Sequence, residues 1–470
     1  MSSQAICESV CGWIGLTLRI ASVAFVVCPA IANGAAYFSI SNQQVIIGND
    51  QVELVFSTTS GNLLNLTDKV TGHDFISEKQ GGYSGFTFGY TTPTNTVQLY
   101  SNGGQARSVS LTPKAIAGGV QLTIQHEKFF LNGGTANLTA TLSVTVDDVS
   151  PLTTWQLSMT NGEQLTIEQV AAPALVGLGQ IGDDPSGAYL VYPSAAGILF
   201  QDPVHNFIPH QGWGNQLYPG GWQNMQFLAY YSKQSGTGLY MASQDSAGYA
   251  KTLHSTRLGN NWLLLDSTYL PPFQLGGDVQ VPYPVVLGVF HGDWYDAADL
   301  YRSWALQQPW AQAGPLATRA DVPDWYKQTG MLGQVTTNPG WGSPWGFSTL
   351  PALAADWQSR LTTPPLYFWW GWENRGPWMD PPDLLPPNEG WASFDSAVAG
   401  THSASGRLML GVTTGGASEE APSWPVLRAS ASQKRDGSFY VLQSLAKDLQ
   451  RCSVLRKTME RGDDKWKGLR

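Results

Sequence analysis

From Tyr37 to about Gly292 the sequence keeps a two-residue rhythm, with no stretch of ten residues that reads as helix. That rhythm restricts the segment to antiparallel sheet. Gln51–Phe56 (QVELVF), Val120–Gln125 (VQLTIQ), Ala140–Val146 (ATLSVTV) and Thr154–Met159 (TWQLSM) alternate apolar and polar residues, and Gly-, Asn- and Ser-rich turns such as Thr59-Ser60-Gly61 separate such runs. Successive side chains on a strand point to opposite faces, so each run buries one face and offers the other to water. About 250 residues is large for one sandwich, so two big sheets or a double sandwich are expected over 37–292.

The period changes at Asp293. Asp293 is placed to cap a helix, and Ala297, Leu300, Tyr301 and Trp304 share one helical face before Pro309 interrupts. Residues 293–324 therefore read as a linker helix with its exit. Strand and helix then alternate over 325–430. Gly330–Val335, Leu366–Trp370 and Arg407–Val412 are short continuous apolar runs. Between them, Ser348 and Thr349 before Pro351 start a helix with Leu353, Ala354, Trp357 and Leu361 on one face, and Phe394, Ala397 and Val398 mark a second that Gly406 ends. Continuous apolar strands separated by helices at this spacing predict parallel βα units.

The two ends differ from the middle. Ile20–Ala32 is a charge-free run of thirteen residues after Arg19, closing on Ala30-Ile31-Ala32, and residues 1–36 read as a secretory signal peptide. The run is short of the roughly 20 residues that span a bilayer. Export to the periplasm or the medium is therefore expected, with no membrane attachment after cleavage. Cys7, Cys11 and Cys28 lie in this leader and only Cys452 follows it, so no internal disulfide is expected. Residues 431–470 hold ten Lys/Arg and five Asp/Glu, against 46 charged residues in the preceding 430 positions. This charged tail fits a solvated terminal helix, with Phe439, Leu442, Leu445, Ala446 and Leu449 on one face, or a broken reading frame.

Several chemistries find no support. A net charge of −9 speaks against nucleic acid as a partner. Gly177-Leu-Gly-Gln-Ile-Gly182 matches the dinucleotide fingerprint, but Asp183-Asp184-Pro185 follows where a helix would have to open. The seven His are scattered, and His205 and His210 are too irregularly set for a metal pair, so neither metal nor cofactor is expected. Tryptophan, by contrast, is concentrated: twelve of the nineteen fall in residues 294–391. Trp304, Trp325, Trp357 and Trp369 fall on predicted element faces and are expected to wedge against the core. Trp341, Trp345, Trp372, Trp378 and Trp391 sit among Gly and Pro. Loop indoles suit the apolar faces of sugar rings. The richest segment follows the second apolar strand: Trp369-Trp370-Gly371-Trp372-Glu373-Asn374-Arg375-Gly376-Pro377-Trp378-Met379-Asp380. Trp370, Trp372, Glu373, Arg375, Trp378 and Asp380 are the candidate carbohydrate contacts. Glu373 and Asp380 form a carboxylate pair of the kind glycoside hydrolysis uses, though both lie on one loop and either could simply pair with Arg375.

A series of motifs also carries a resemblance: Leu54–Phe56, Gly61–Leu66 (GNLLNL) and Asp68–Gly72 (DKVTG), then Tyr192–Gly197 (YPSAAG), Asp202-Pro203, Trp222–Phe227 (WQNMQF), Gly292–Ala298 (GDWYDAA), Tyr301–Trp304 (YRSW), Val322–Trp325 (VPDW) and Pro382–Pro387 (PDLLPP). Their order over residues 37–445 resembles an uncharacterised bacterial family of glycosidase-like proteins, distantly similar to α-galactosidases and α-glucosidases. The resemblance implies a galactose-mutarotase-like β-supersandwich followed by a (β/α) TIM barrel. An eightfold barrel needs about 250 residues, and 146 positions follow Asp324. The expectation is a partial barrel in a truncated, catalytically impaired glycoside-hydrolase-like protein. The catalytic carboxylates of such barrels follow later strands, so the resemblance assigns no catalytic residue. The alternatives are a non-catalytic carbohydrate-binding protein with a Trp-rich face, and a sugar epimerase housed in the sandwich using His205 or His210.

Overall fold

A computed structural model describes residues 35–77, 85–194, 197–206, 215–219, 223–259, 261–338, 343–376, 381–412, 416–431, 433 and 437–439. The chain divides into two compact units between Ala305 and Leu306.

The first unit is antiparallel throughout. A five-stranded sheet runs over Tyr37–Asp74. A ten-stranded sheet places Gly134–Asp147 between Gly119–Leu131 and Leu152–Asn161, and continues through Val285–His291 and Thr237–Ser243. A six-stranded sheet is centred on Trp262–Tyr269, Thr166–Leu178 and Gly85–Thr92. The alternation read from the sequence sets which face is buried: Leu138, Ala140, Leu142, Val144 and Val146 all point inward from one strand. They join Phe56, Phe88, Phe129, Trp155, Leu175 and Leu265 in one continuous core. Each fully buried large side chain there contributes about 1.5–3 kcal/mol. Trp155 keeps its indole N–H satisfied by donating to Thr153 Oγ1 at 2.8 Å.

The segment over Gly177–Gly182 ends a strand and leads into a single 3-10 turn at Pro185–Gly187. No helix opens there on a ligand.

The helix read from Asp293 onward is Trp294–Ala305. Asp293 Oδ1 accepts the Tyr295 N–H at 2.8 Å, which is the expected cap. Ala297 and Tyr301 are buried, Leu300 and Trp304 pack beside them, and Tyr301 stacks on Phe227 at 5.5 Å. The helix is thus part of the first unit, and the stretch read as one linker is divided at Leu306.

The second unit holds a three-stranded parallel sheet: β1 (Met331–Thr336), β2 (Pro365–Trp370) and β3 (Arg407–Leu410), with β2 central. Helices α1 (Leu350–Leu361) and α2 (Gly390–Ser403) connect them. Val335, Tyr367 and Trp369 alternate on one sheet face and share a core with Leu350, Ala354 and Ala397, so both helices cover that face. Parallel βα units are therefore present. Among the described residues they form a three-stranded open sheet with its helices on one face.

The buried face of α1 differs from the expected one. Leu350 and Ala354 are buried, whereas Trp357 is 36% exposed and Leu361 also faces solvent. Close approaches set the rotation. A Cβ on Gly400 would stand 2.7 Å from Pro351, and one on Gly406 would stand 2.8 Å from Ala354. These glycines let α2 and its exit press on the N-terminal half of α1, so Ala354 turns inward and Trp357 outward. Trp325, also expected to wedge, is exposed, with Arg407 6.0 Å over its ring.

Candidate functional site

In parallel βα sheets the loops leaving the carboxyl ends of the strands converge. Here those loops follow Thr336, Trp370 and Leu410. The loop after β2 begins with a sharp turn at Gly371, whose φ of +79° suits glycine, and a Cβ there would fall 2.3 Å from the Thr337 carbonyl oxygen. Thr337 in turn accepts the Trp369 indole N–H at 2.7 Å. The turn brings Glu373 back over the strand end, where its Oε2 accepts the Gly371 N–H at 2.9 Å.

Glu373 is 1% exposed, and its Oε1 has no hydrogen-bond partner. Burial pushes its carboxyl above its ordinary value, and the N–H groups of Glu373, Gly371 and Trp372 offset only part of that. A buried carboxyl with one unfilled oxygen is costly to fold around. Such a group at the end of a parallel strand is a site candidate on physical grounds.

The other expected contacts separate. Trp370 is half-buried and meets Phe368 edge-on at 4.9 Å. Trp372 is only 5% exposed, gives its indole N–H to the Gly411 carbonyl at 2.8 Å and packs on Phe394. It is a core residue, and the expectation of a loop indole open to a sugar does not hold for it. Sequence could not separate the two, because Gly371 reverses the chain and turns Trp372 back into the core. Arg375 is exposed and pairs with Glu420 at 3.1 Å. Trp378 and Asp380 lie outside the described residues, as do Trp341 and His210. Trp345 and Trp391 are exposed. Asn388 was not singled out by sequence, yet its side-chain N–H donates to the Gly371 carbonyl and its backbone N–H to the Trp372 carbonyl at 3.1 Å, holding the loop.

His205, the epimerase candidate, pairs with Asp202 at 2.6 Å and accepts Arg257 on its carbonyl oxygen. Among the described residues no group of three or more His, Cys, Asp or Glu is arranged to hold a metal. No described helix is long and apolar enough to cross a membrane.

With sheets, helices and strand-end loop in place, the chain is glycosidase-like in fold. Structures of the α-N-acetylgalactosaminidase NagBb from Bifidobacterium bifidum share its arrangement. The GalNAc complex gives a TM-score of 0.57 at 13% identity, covering 87% of this chain and 67% of that one. The quadruple mutant gives 0.56 at 14% identity, covering 91% and 69%. In sequence, a Monosiga brevicollis protein provisionally named a glycoside hydrolase is 30% identical over 237 residues, which is 44% of this chain. The chain spans 18% of that relative's length. The profile of a domain of unknown function (DUF6259) matches residues 279–461.

Proposed function

We propose that this chain is an exported, glycoside-hydrolase-like protein that engages carbohydrate at the strand ends of its second unit without efficient turnover. The observation that carries this reading is Glu373, a buried carboxyl with an unfilled oxygen on the loop beside half-buried Trp370. A pyranose offers what both require, hydroxyls for the carboxyl and an apolar C–H face for the indole. Arg375 is a further contact on the same loop, Trp378 and Asp380, which follow it in sequence, are proposed as others, and Trp372 supports the loop from within. The glycosidase-like neighbours and the resemblance read from the motifs agree with a sugar ligand.

Glycosidic hydrolysis sets two carboxyl groups on opposite sides of the scissile bond. Among the described residues at these strand ends, Glu373 is the one buried carboxyl. Binding is therefore assigned to the site, and catalysis is taken to be impaired. The leader at Ile20–Ala32 supports export. Glycan-array binding by the purified protein, lost in Trp370→Ala and in Glu373→Gln, is the expected result. Absence of binding to every glycan would overturn the reading. Robust hydrolysis of aryl glycosides would overturn the part that denies turnover.

A further inference from the structure

Trp369, Trp370 and Trp372, on and just after β2, are keyed to one residue, Gly411, just beyond β3. Its N–H donates to the Trp369 carbonyl at 2.8 Å. Its own carbonyl accepts the Trp372 indole N–H, also at 2.8 Å. Its Cα lies under the third ring: a Cβ on Gly411 would stand 2.6 Å from Trp370 Cδ2, 2.7 Å from Cε3 and 2.9 Å from Cε2. Strand register explains the contact. Trp369 pairs with Leu410, so Trp370 falls beside Gly411 on the sheet face opposite the helices, along with Phe368 and Met409.

Gly411 is not among the glycines with a left-handed backbone. Alanine is therefore conformationally acceptable there, and what excludes a side chain is the indole itself. The contact involves the ring-fusion atoms, not the tip of a flexible chain, so an added methyl must displace the whole ring or the strand end.

We propose that Gly411 is a positioning residue for sugar binding: it seats the Trp370 indole flat against the end of β3, in the pose that receives the apolar face of a pyranose. This rests on the carbohydrate reading above. Trp369 and Trp372 are fixed to the same residue through its backbone, which alanine also offers, and the heavy atoms nearest an added methyl all belong to the Trp370 ring.

The test uses the full chain labelled with fluorotryptophan. The Trp370 resonance is identified by its loss in Trp370→Phe. In Gly411→Ala that resonance is expected to shift, while affinity for the tightest array glycan falls about tenfold, the scale of one lost aromatic contact. Adding Trp370→Leu to Gly411→Ala removes the collision; the melting temperature is expected to recover while affinity stays low. A resonance unmoved in Gly411→Ala overturns the seating. A resonance that moves with affinity unchanged overturns the role in binding. If the wild-type chain binds no glycan while the resonance still moves, the carbohydrate reading fails and the seating stands.

Discussion

Lys251 has no exposed side-chain surface, yet it carries an ammonium group. Its Nζ donates to Asp245 Oδ2 at 2.5 Å and to the Tyr249 carbonyl at 2.7 Å, with the rings of Tyr218 and Tyr283 at 4.8 and 4.7 Å. Burial pushes its pKa below the usual lysine range, against the pull of Asp245. Removing one partner of such a pair leaves an uncompensated buried charge. Lys251→Ala is therefore expected to cost about 3–5 kcal/mol in denaturant unfolding. Lys251→Met combined with Asp245→Asn should recover part of that loss. Glu373 gives a prediction of the opposite kind. Burial raises its carboxyl above the ordinary 4.5, so the folded chain keeps the proton to higher pH than the unfolded chain does. Its contribution to stability is fully present below the ordinary value and is lost as pH rises through the folded one. Glu373→Gln should flatten the fall of melting temperature that sets in as pH rises above the ordinary value and ends past the folded one, and leave neutral stability equal or higher, while weakening glycan binding. Sequence pointed to Glu373 through its crowded loop. It was silent on Asp245, because that pairing depends on a turn bringing residue 245 beneath an inward-facing position of the strand Lys251–Leu258.

At the scale of elements, the strands were the most legible part. Ala140–Val146 lies inside Gly134–Asp147 because burial of one face writes a period of two into the residue order, and Leu366–Trp370 falls within β2 because a central parallel strand reads as a continuous apolar run. Helix positions were legible and helix rotations were not. In α1 the stripe of large residues, Trp357 and Leu361, faces solvent, and the smaller Ala354 makes the close contact. The glycines that decide this, Gly400 and Gly406, lie about fifty residues away in sequence and act by lacking a side chain. Leu350→Ala should therefore cost about 2–5 kcal/mol. Trp357→Gln should change stability by less than about 0.5 kcal/mol, as an exposed position does. Chemical denaturation of the two variants side by side distinguishes this rotation from the one the apolar stripe suggests, which reverses the order.

At the scale of the whole molecule, most of the buried apolar residues among those described fall into three clusters that share no member. Two draw only on residues up to Ala305, and the third draws only on residues from Met331 onward. A unit that owns its core carries most of its own hydrophobic stabilisation, and unfolding of the full chain need not be a single two-state event. The first unit closes its large sandwich core and covers a second apolar patch with the helix Trp294–Ala305, so residues 35–305 expressed alone are expected to unfold cooperatively, with the circular dichroism of antiparallel sheet. The candidate sugar site belongs wholly to the second unit: Trp370, Glu373, Arg375 and Gly411 all lie beyond Leu306. The fragment should therefore be folded and blind to every glycan the full chain binds. A folded fragment that retains glycan binding would move the site into the sandwich and leave Glu373 as an unexplained buried carboxyl. A fragment that fails to fold would show that the core of the first unit, large as it is, depends on residues after Ala305.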